Sequence, residues 1–118
     1  MDLTFYNRLG QAIAYTQDGT HIFLFTGAAA AYLHEDSVYS YSGAHLGWFI
    51  DGWIRDHEGA CVLSTQEAHG GPPRPVKQVK PVKQVKVVKP VKGVRRVRPV
   101  RPVKRMAWSH IPPEGFFR

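Results

Sequence analysis

The sequence predicts an all-β body of four repeated β-hairpins with pseudo-four-fold symmetry, followed by an extended, polyproline-II-like basic arm. Three observations carry this reading. Four glycines, Gly10, Gly27, Gly43 and Gly59, stand 17, 16 and 16 residues apart. The same residue types recur at fixed offsets from each of them. Ten consecutive triplets from Pro75 to Lys104 then place valine in the middle and lysine or arginine at the end.

The columns define the hairpins in order. Five residues before each glycine stand Phe5, Ile22, Val38 and Ile54, and four before it Tyr6, Phe23, Tyr39 and Arg55. Three after come Ile13, Ala30, Leu46 and Val62; four after, Ala14, Ala31, Gly47 and Leu63; five after, Tyr15, Tyr32, Trp48 and Ser64. An acid follows at eight or nine: Asp18, Asp36, Asp51 and Glu67. The unit reads as strand, glycine turn, strand, acidic turn, repeated to give eight short antiparallel strands within residues 1–67. A three-residue loop ending in a glycine of positive φ makes a type I turn with a G1 bulge. In that register the expected cross-strand pairs are Phe5–Ile13, Ile22–Ala30, Val38–Leu46 and Ile54–Val62, with the residues at −4 and +4 sharing the other face. Asp18-Gly19 and Asp51-Gly52 supply turn chemistry between units. A lone hairpin cannot cover its own apolar face, whereas four around a shared centre close a small core. The fourth unit departs most from the pattern, as terminal repeats do.

The runs LTFYNRLGQAIAYTQDG (3–19), HLGWFIDGWIRDHEGACVLS (45–64) and GGPPRPVK (70–77), with Trp108-Ser109 near the end, give the chain a recognisable signature. With these the sequence resembles the small bacterial proteins of the four-fold beta flower family. The resemblance implies an all-β body of repeated hairpins, and it carries no assigned activity or functional residue to this chain.

Next comes the arm, residues 72–105. Period three is neither helical nor strand-like, and proline at 75, 81, 90, 99 and 102 excludes an ordinary helix or a central strand. Polyproline II has three residues per turn, which gives one valine stripe, one cationic stripe and one Pro/Gln stripe. Thirty residues at about 3.1 Å each would reach roughly 90 Å. Such a segment reads either as a solvated low-complexity linker or as a ligand whose in-register valines dock along a groove. Pro99–Lys104 also fits the PxxPx[KR] pattern of SH3 ligands, a match that any proline-bearing triplet repeat generates. Residues 106–118 follow as an aromatic C-terminal anchor. Trp108, Phe116 and Phe117 are expected to pack on the chain's own body or on a neighbour's, burial being worth about 1.5–3 kcal/mol per large apolar side chain.

Charge divides the chain as sharply as pattern does. Residues 1–71 carry eight acids against Arg8 and Arg55, a net of −6, while residues 72–105 carry thirteen Lys and Arg and no acid. The overall charge is +7. The expected partner is a polyanion, either nucleic acid or an acidic protein surface, bound through Lys77, Lys80, Lys83, Lys86, Lys89, Lys92, Arg95, Arg96, Arg98, Arg101, Lys104 and Arg105. Alternatively the arm lies on its own or a neighbour's acidic body, and arm and aromatic terminus tie protomers into a homo-oligomer. A body of about 70 residues has little core of its own, which favours association. One cysteine, Cys61, permits no intrachain disulfide. No signal-peptide pattern and no membrane span are read, so the expected setting is cytoplasmic.

Catalysis is not expected. The densest polar cluster, Asp51 to Gly59, places Asp56-His57-Glu58-Gly59 on a turn where such residues serve the backbone. The six histidines form no HxH or HxxxH pair, and no metal or cofactor is expected. Cys61 has no specified histidine partner and reads as a packed small side chain.

Overall fold

The computed structural model describes residues 2–117. Eight strands follow one another: β1 (Leu3–Tyr6), β2 (Ala12–Thr16), β3 (His21–Leu24), β4 (Ala29–His34), β5 (Ser37–Tyr39), β6 (His45–Ile50), β7 (Trp53–Arg55) and β8 (Cys61–Ser64). Each pairs antiparallel with the next, and β8 returns to β1 through Tyr6 and Ser64, closing a barrel. One short helix, α1 (Pro113–Phe116), comes near the end.

The glycines turn the hairpins as their spacing predicts. Each has positive φ, between 82° and 101°. Their N–H groups donate to the carbonyls of Asn7, Leu24, Ser40 and Asp56 at 2.9–3.1 Å. Three of those four residues also brace the loop with their side chains. Asn7 Oδ1 accepts from the Leu9 and Gln11 N–H groups, Ser40 Oγ from Ala44, and Asp56 Oδ1 from Glu58 and Ala60. Between units, Asp18 Oδ1 accepts from the Thr20 and His21 N–H groups. At the next turns Glu35 and Asp51 take positive φ themselves.

The cross-strand register differs by one residue from the expected one. Phe5 faces Ala14, Ile22 faces Ala31, Val38 faces Gly47 and Ile54 faces Leu63. The bulge accounts for the shift: Tyr6 pairs with Ala12 and Phe5 with Ala14, so Ile13 is the extra residue, and Ala30, Leu46 and Val62 repeat its position. This pairing explains the small residues at +4. A large side chain at −5 and a small one at +4 share the interior, where four copies converge. The space left at the centre is filled by Phe116 of α1, which joins Leu3, Phe5, Ile22, Val38, Ile54 and Leu63 in one buried cluster. Gly47 makes room for it, since a Cβ there would meet the Phe116 ring at 3.0 Å.

Outward-facing aromatics meet across the seams between units. The residue at +5 of one hairpin pairs with the residue at −4 of the next: Tyr15 with Phe23, Tyr32 with Tyr39, Trp48 with Arg55 and Ser64 with Tyr6.

The basic segment does not project from this body. It forms a strap that winds around the barrel, taking no helix or strand, and it touches all four glycine turns in steps of nine residues. The N–H groups of Gln78, Val87, Arg96 and Arg105 donate to the carbonyls of Gly10, Gly27, Gly43 and Gly59 at 2.8, 2.9, 2.9 and 3.1 Å. Gln84 and Gly93, again nine apart, donate to Phe25 and Tyr41. Prolines at 81, 90 and 99 fall where no N–H is used. Length agrees with this path. From Val76 to Val103 an extended chain at about 3.1 Å per residue covers roughly 84 Å, close to three-quarters of the circumference of a disc 36 Å across. Contact is intimate at the turns: a Cβ at Gly43 would stand 2.0 Å from the Val94 carbonyl oxygen, and the other three glycines face Val76, Val85 and Val103 in the same way. The valines themselves point away, 82–95 % exposed, so none of the ten docks in a groove of this chain. Seven members of the cationic stripe reach back to the barrel instead.

Candidate polyanion interface on the strap

The cations divide into two sets according to what lies beneath them. Seven are seated on the barrel. Lys77 lies 5.4 Å from the Tyr6 ring, Lys83 4.7 Å from Tyr15, Lys86 4.9 Å from Phe23 and Lys92 4.5 Å from Tyr32, while Arg98 and Arg101 flank Trp48 at 5.8 and 5.6 Å. These rings are the seam aromatics, and each cation–π contact contributes about 0.5–2 kcal/mol depending on exposure. The same side chains reach the acidic turns. Arg98 pairs with Asp36 at 2.5 Å, Arg101 also pairs with Asp36, Lys86 bonds Gln17, and Lys104 bonds Asp51 at 2.8 Å. The Lys104 hydrogen bond holds the Asp51 carboxyl below its ordinary range. The body's excess of acid is thus met in part by its own strap.

The remaining five residues of the expected polyanion set, Lys80, Lys89, Arg95, Arg96 and Arg105, have exposed side chains with no partner among the described residues. Arg96 and Arg105 are held through their backbone alone.

Arg55, the residue that broke the aromatic column, is buried and does the work of the tyrosine it replaces. Tyr39 Oη donates to the Arg96 carbonyl at 2.9 Å; Arg55 Nη1 donates to the Arg105 carbonyl, nine residues on, at 2.7 Å, and to Gly59 as well. Its Nη2 donates to Gly70. Hydrogen bonds from a charged donor to buried carbonyls are worth about 1.5–3 kcal/mol each, so this substitution fastens the last quarter of the strap.

The polar cluster at the fourth turn is committed to structure. Asp56 Oδ2 accepts from Ser109 Oγ at 2.5 Å, which ties the C-terminal segment to the turn. His57 Nε2 and His45 Nδ1 share a hydrogen bond of 3.0 Å, and His45 Nε2 lies 3.1 Å from Ser37 Oγ. Burial, followed by the neighbouring His57 and Arg98 charges, brings the His45 pKa down to about 4. Burial also pushes the Cys61 thiol up to about 11, far from the thiolate a nucleophile needs. Among the described residues no group of three or more His, Cys, Asp or Glu is placed to hold a metal ion. Among the described residues no helix is long and apolar enough to cross a membrane.

Of the aromatic terminus, Phe116 lies inside its own barrel, and Phe117 packs edge-on against it at 5.3 Å. Trp108 is half-buried, edge-on to Trp53 at 5.4 Å. Sequence reasoning missed the ring seats of the cations, Tyr6, Tyr15, Phe23, Tyr32 and Trp48, as partners of the strap. A signal for them existed: within the period of three, proline recurs every nine residues at 81, 90 and 99 and is absent at 78, 87, 96 and 105.

Comparison with curated proteins gives no match, and neither does comparison with solved structures. A family model, described as the 4-fold beta flower protein, matches residues 3–117. That span takes in barrel, strap and C-terminal plug together, and the chain belongs to the 4-fold beta flower family.

Proposed function

We propose that this is a non-enzymatic binding protein whose rim contacts polyanions, nucleic acid or an acidic protein surface, through the strap. The observation that carries the reading is the set of five outward cations, Lys80, Lys89, Arg95, Arg96 and Arg105, on a disc of net charge +7. The seated cations are already partnered, so a ligand would gain little from them without lifting the strap. Counterion release then sets the scale. About five phosphate contacts give a slope near −4.5 in log K against log salt, or roughly a 500-fold loss of affinity between 50 and 200 mM salt. Engagement of all twelve strap cations would steepen that slope to about −11. Fluorescence anisotropy with two unrelated duplexes across a salt series tests this. The expected result is sequence-indifferent binding with the shallower slope, abolished when the five outward cations become glutamine. Failure of the intact protein to bind either duplex at 50 mM salt would overturn it.

A second reading is favoured by the belt of ten exposed valines: the strap joins protomers into a homo-oligomer. Light scattering on the intact protein separates the two, since a monomer that still binds duplex removes the assembly reading.

A further inference from the structure

Four strap cations stand nine residues apart, Arg74, Lys83, Lys92 and Arg101. Three of them lie over the ring at +5 of a hairpin: Lys83 is 4.7 Å from Tyr15, Lys92 4.5 Å from Tyr32 and Arg101 5.6 Å from Trp48. Arg74 falls at the seam where the residue at +5 is Ser64, which offers no ring. Its side chain is exposed, and Nη1 donates to the neighbouring Thr65 carbonyl at 2.9 Å. A second row of cations shows the same difference. Lys86 lies over two rings, Tyr15 at 5.8 Å and Phe23 at 4.9 Å, which stack with their centroids 6.2 Å apart. Lys77, nine residues before it, has Tyr6 alone, at 5.4 Å. The strap therefore keeps both cations of a ring seat at a seam where the hairpin supplies a serine.

At that seam lies an open pocket of about 490 Å³, with Tyr6, Ser64, Arg74 and Lys77 among its walls and no acid lining it. Its size is that of a small-ligand site, which runs from about 300 to 1,000 Å³. We infer that the seam between the fourth hairpin and the first binds a small planar aromatic anion. Its ring takes the place beside Tyr6 that Tyr15, Tyr32 and Trp48 take in the other units, and its anionic group meets Arg74 and Lys77. The chain's own pairs give the packing: Tyr15–Phe23 and Tyr32–Tyr39 stack at 6.2 and 5.9 Å with their planes 26° and 22° apart. Lys77 keeps its place over Tyr6, as Lys86 keeps its place over a pair. Two cations and no acid select for negative charge, and the open seam selects for a flat ring. An aromatic carboxylate and a nucleotide share this chemistry. The site does not rest on the polyanion reading, since none of the five outward cations lines the pocket.

The probes are naphthoate and adenosine monophosphate, titrated separately into the intact protein and followed by amide chemical shifts, with the neutral naphthamide as control. Binding is expected with shifts centred on Tyr6, Ser64 and Lys77, and the tighter of the two anions assigns the source of the ligand. Naphthamide is expected to bind about ten-fold more weakly than naphthoate, for want of the charge-assisted contacts. Ser64→Tyr supplies from the chain the ring that the other three hairpins carry, and should weaken binding by about ten-fold or more. Should that variant not fold, Arg74→Gln at an exposed side chain should weaken binding about ten-fold. The inference fails if neither anion binds at millimolar concentration, or if naphthamide binds as tightly as naphthoate. It fails equally if a folded Ser64→Tyr or Arg74→Gln variant binds as the original chain does. Shifts centred on Lys80, Lys89 and Arg95 would also overturn it, by assigning the anions to the outward cations of the polyanion reading.

Discussion

Barrel and strap are both four-fold repeats, yet they are held by opposite chemistry. The barrel repeats every 16 or 17 residues and is held by its interior, where Phe5, Ile22, Val38 and Ile54 are fully buried. The strap repeats every nine residues and buries almost none of its apolar side chains. It is fixed by N–H donors to the glycine carbonyls and by cations lying on aromatic rings. Symmetry in one region therefore templates symmetry in the other: four equivalent turns present four equivalent acceptors, and the nine-residue step is the distance between them. The difference teaches that a low-complexity basic sequence can be read as structure when its period matches that of the surface beneath.

The largest expected effect falls on the barrel. Phe5→Ala removes a fully buried ring from the shared centre and should cost about 3–5 kcal/mol in denaturant unfolding, with barrel and strap lost together. A smaller and more selective effect is expected at the junction. Gly43→Ala introduces a Cβ at positive φ and 2.0 Å from the Val94 carbonyl oxygen, which should cost about 1–2 kcal/mol for the backbone conformation alone. Exchange should quicken at Gly93 and Arg96 in that variant while the strand amides keep their protection. Uniform loss across both regions would show that strap and barrel are one cooperative unit.

How much of this was legible in the sequence can be judged from the same residues. The glycine spacing located all four turns, because a three-residue loop requires positive φ at that one position. The pairing register was misjudged by one, because the extra residue at Ile13 and its equivalents leaves no compositional mark. The sequence left open whether the strap's cations meet a foreign polyanion or the chain's own acidic body, and it did not point to the rings on which six of them are seated. A stripe of lysines has the same pattern whether it meets solvent or a ring, and the tyrosines that seat it lie 60 or more residues away. Phe116 was recognised as an anchor, and its seat followed from the small residues at +4 only once the true register was known.

Subtler predictions sharpen the contrast within the strap. Val87→Pro removes the N–H that reaches Gly27 and should cost about 1 kcal/mol. Val88→Pro, one residue on, removes an N–H without a backbone acceptor among the described residues and should be close to neutral. Equal effects would mean that the strap is not held in register. The smallest effect concerns pH. His45 is favoured neutral in the fold, with a pKa of about 4 against 6.5 when free. Its contribution is complete above pH 6.5, is lost as pH falls from there toward 4, and declines no further below that. Because His45 is only half-buried and His57 is exposed, the loss should be no more than about 1 kcal/mol, and His45→Gln should flatten it in thermal melts recorded across that range.

The central claim, that the strap is bound to the four glycine turns in nine-residue steps, is tested most directly by residue-resolved amide hydrogen exchange on the intact protein. Gln78, Val87, Arg96 and Arg105 should be protected, with Val79, Val88 and Val97 beside them exchanging freely, and the protected set should recur at intervals of nine. If those four amides exchange as fast as their neighbours while the barrel strands remain protected, the strap is not seated on the turns and the account of it is wrong.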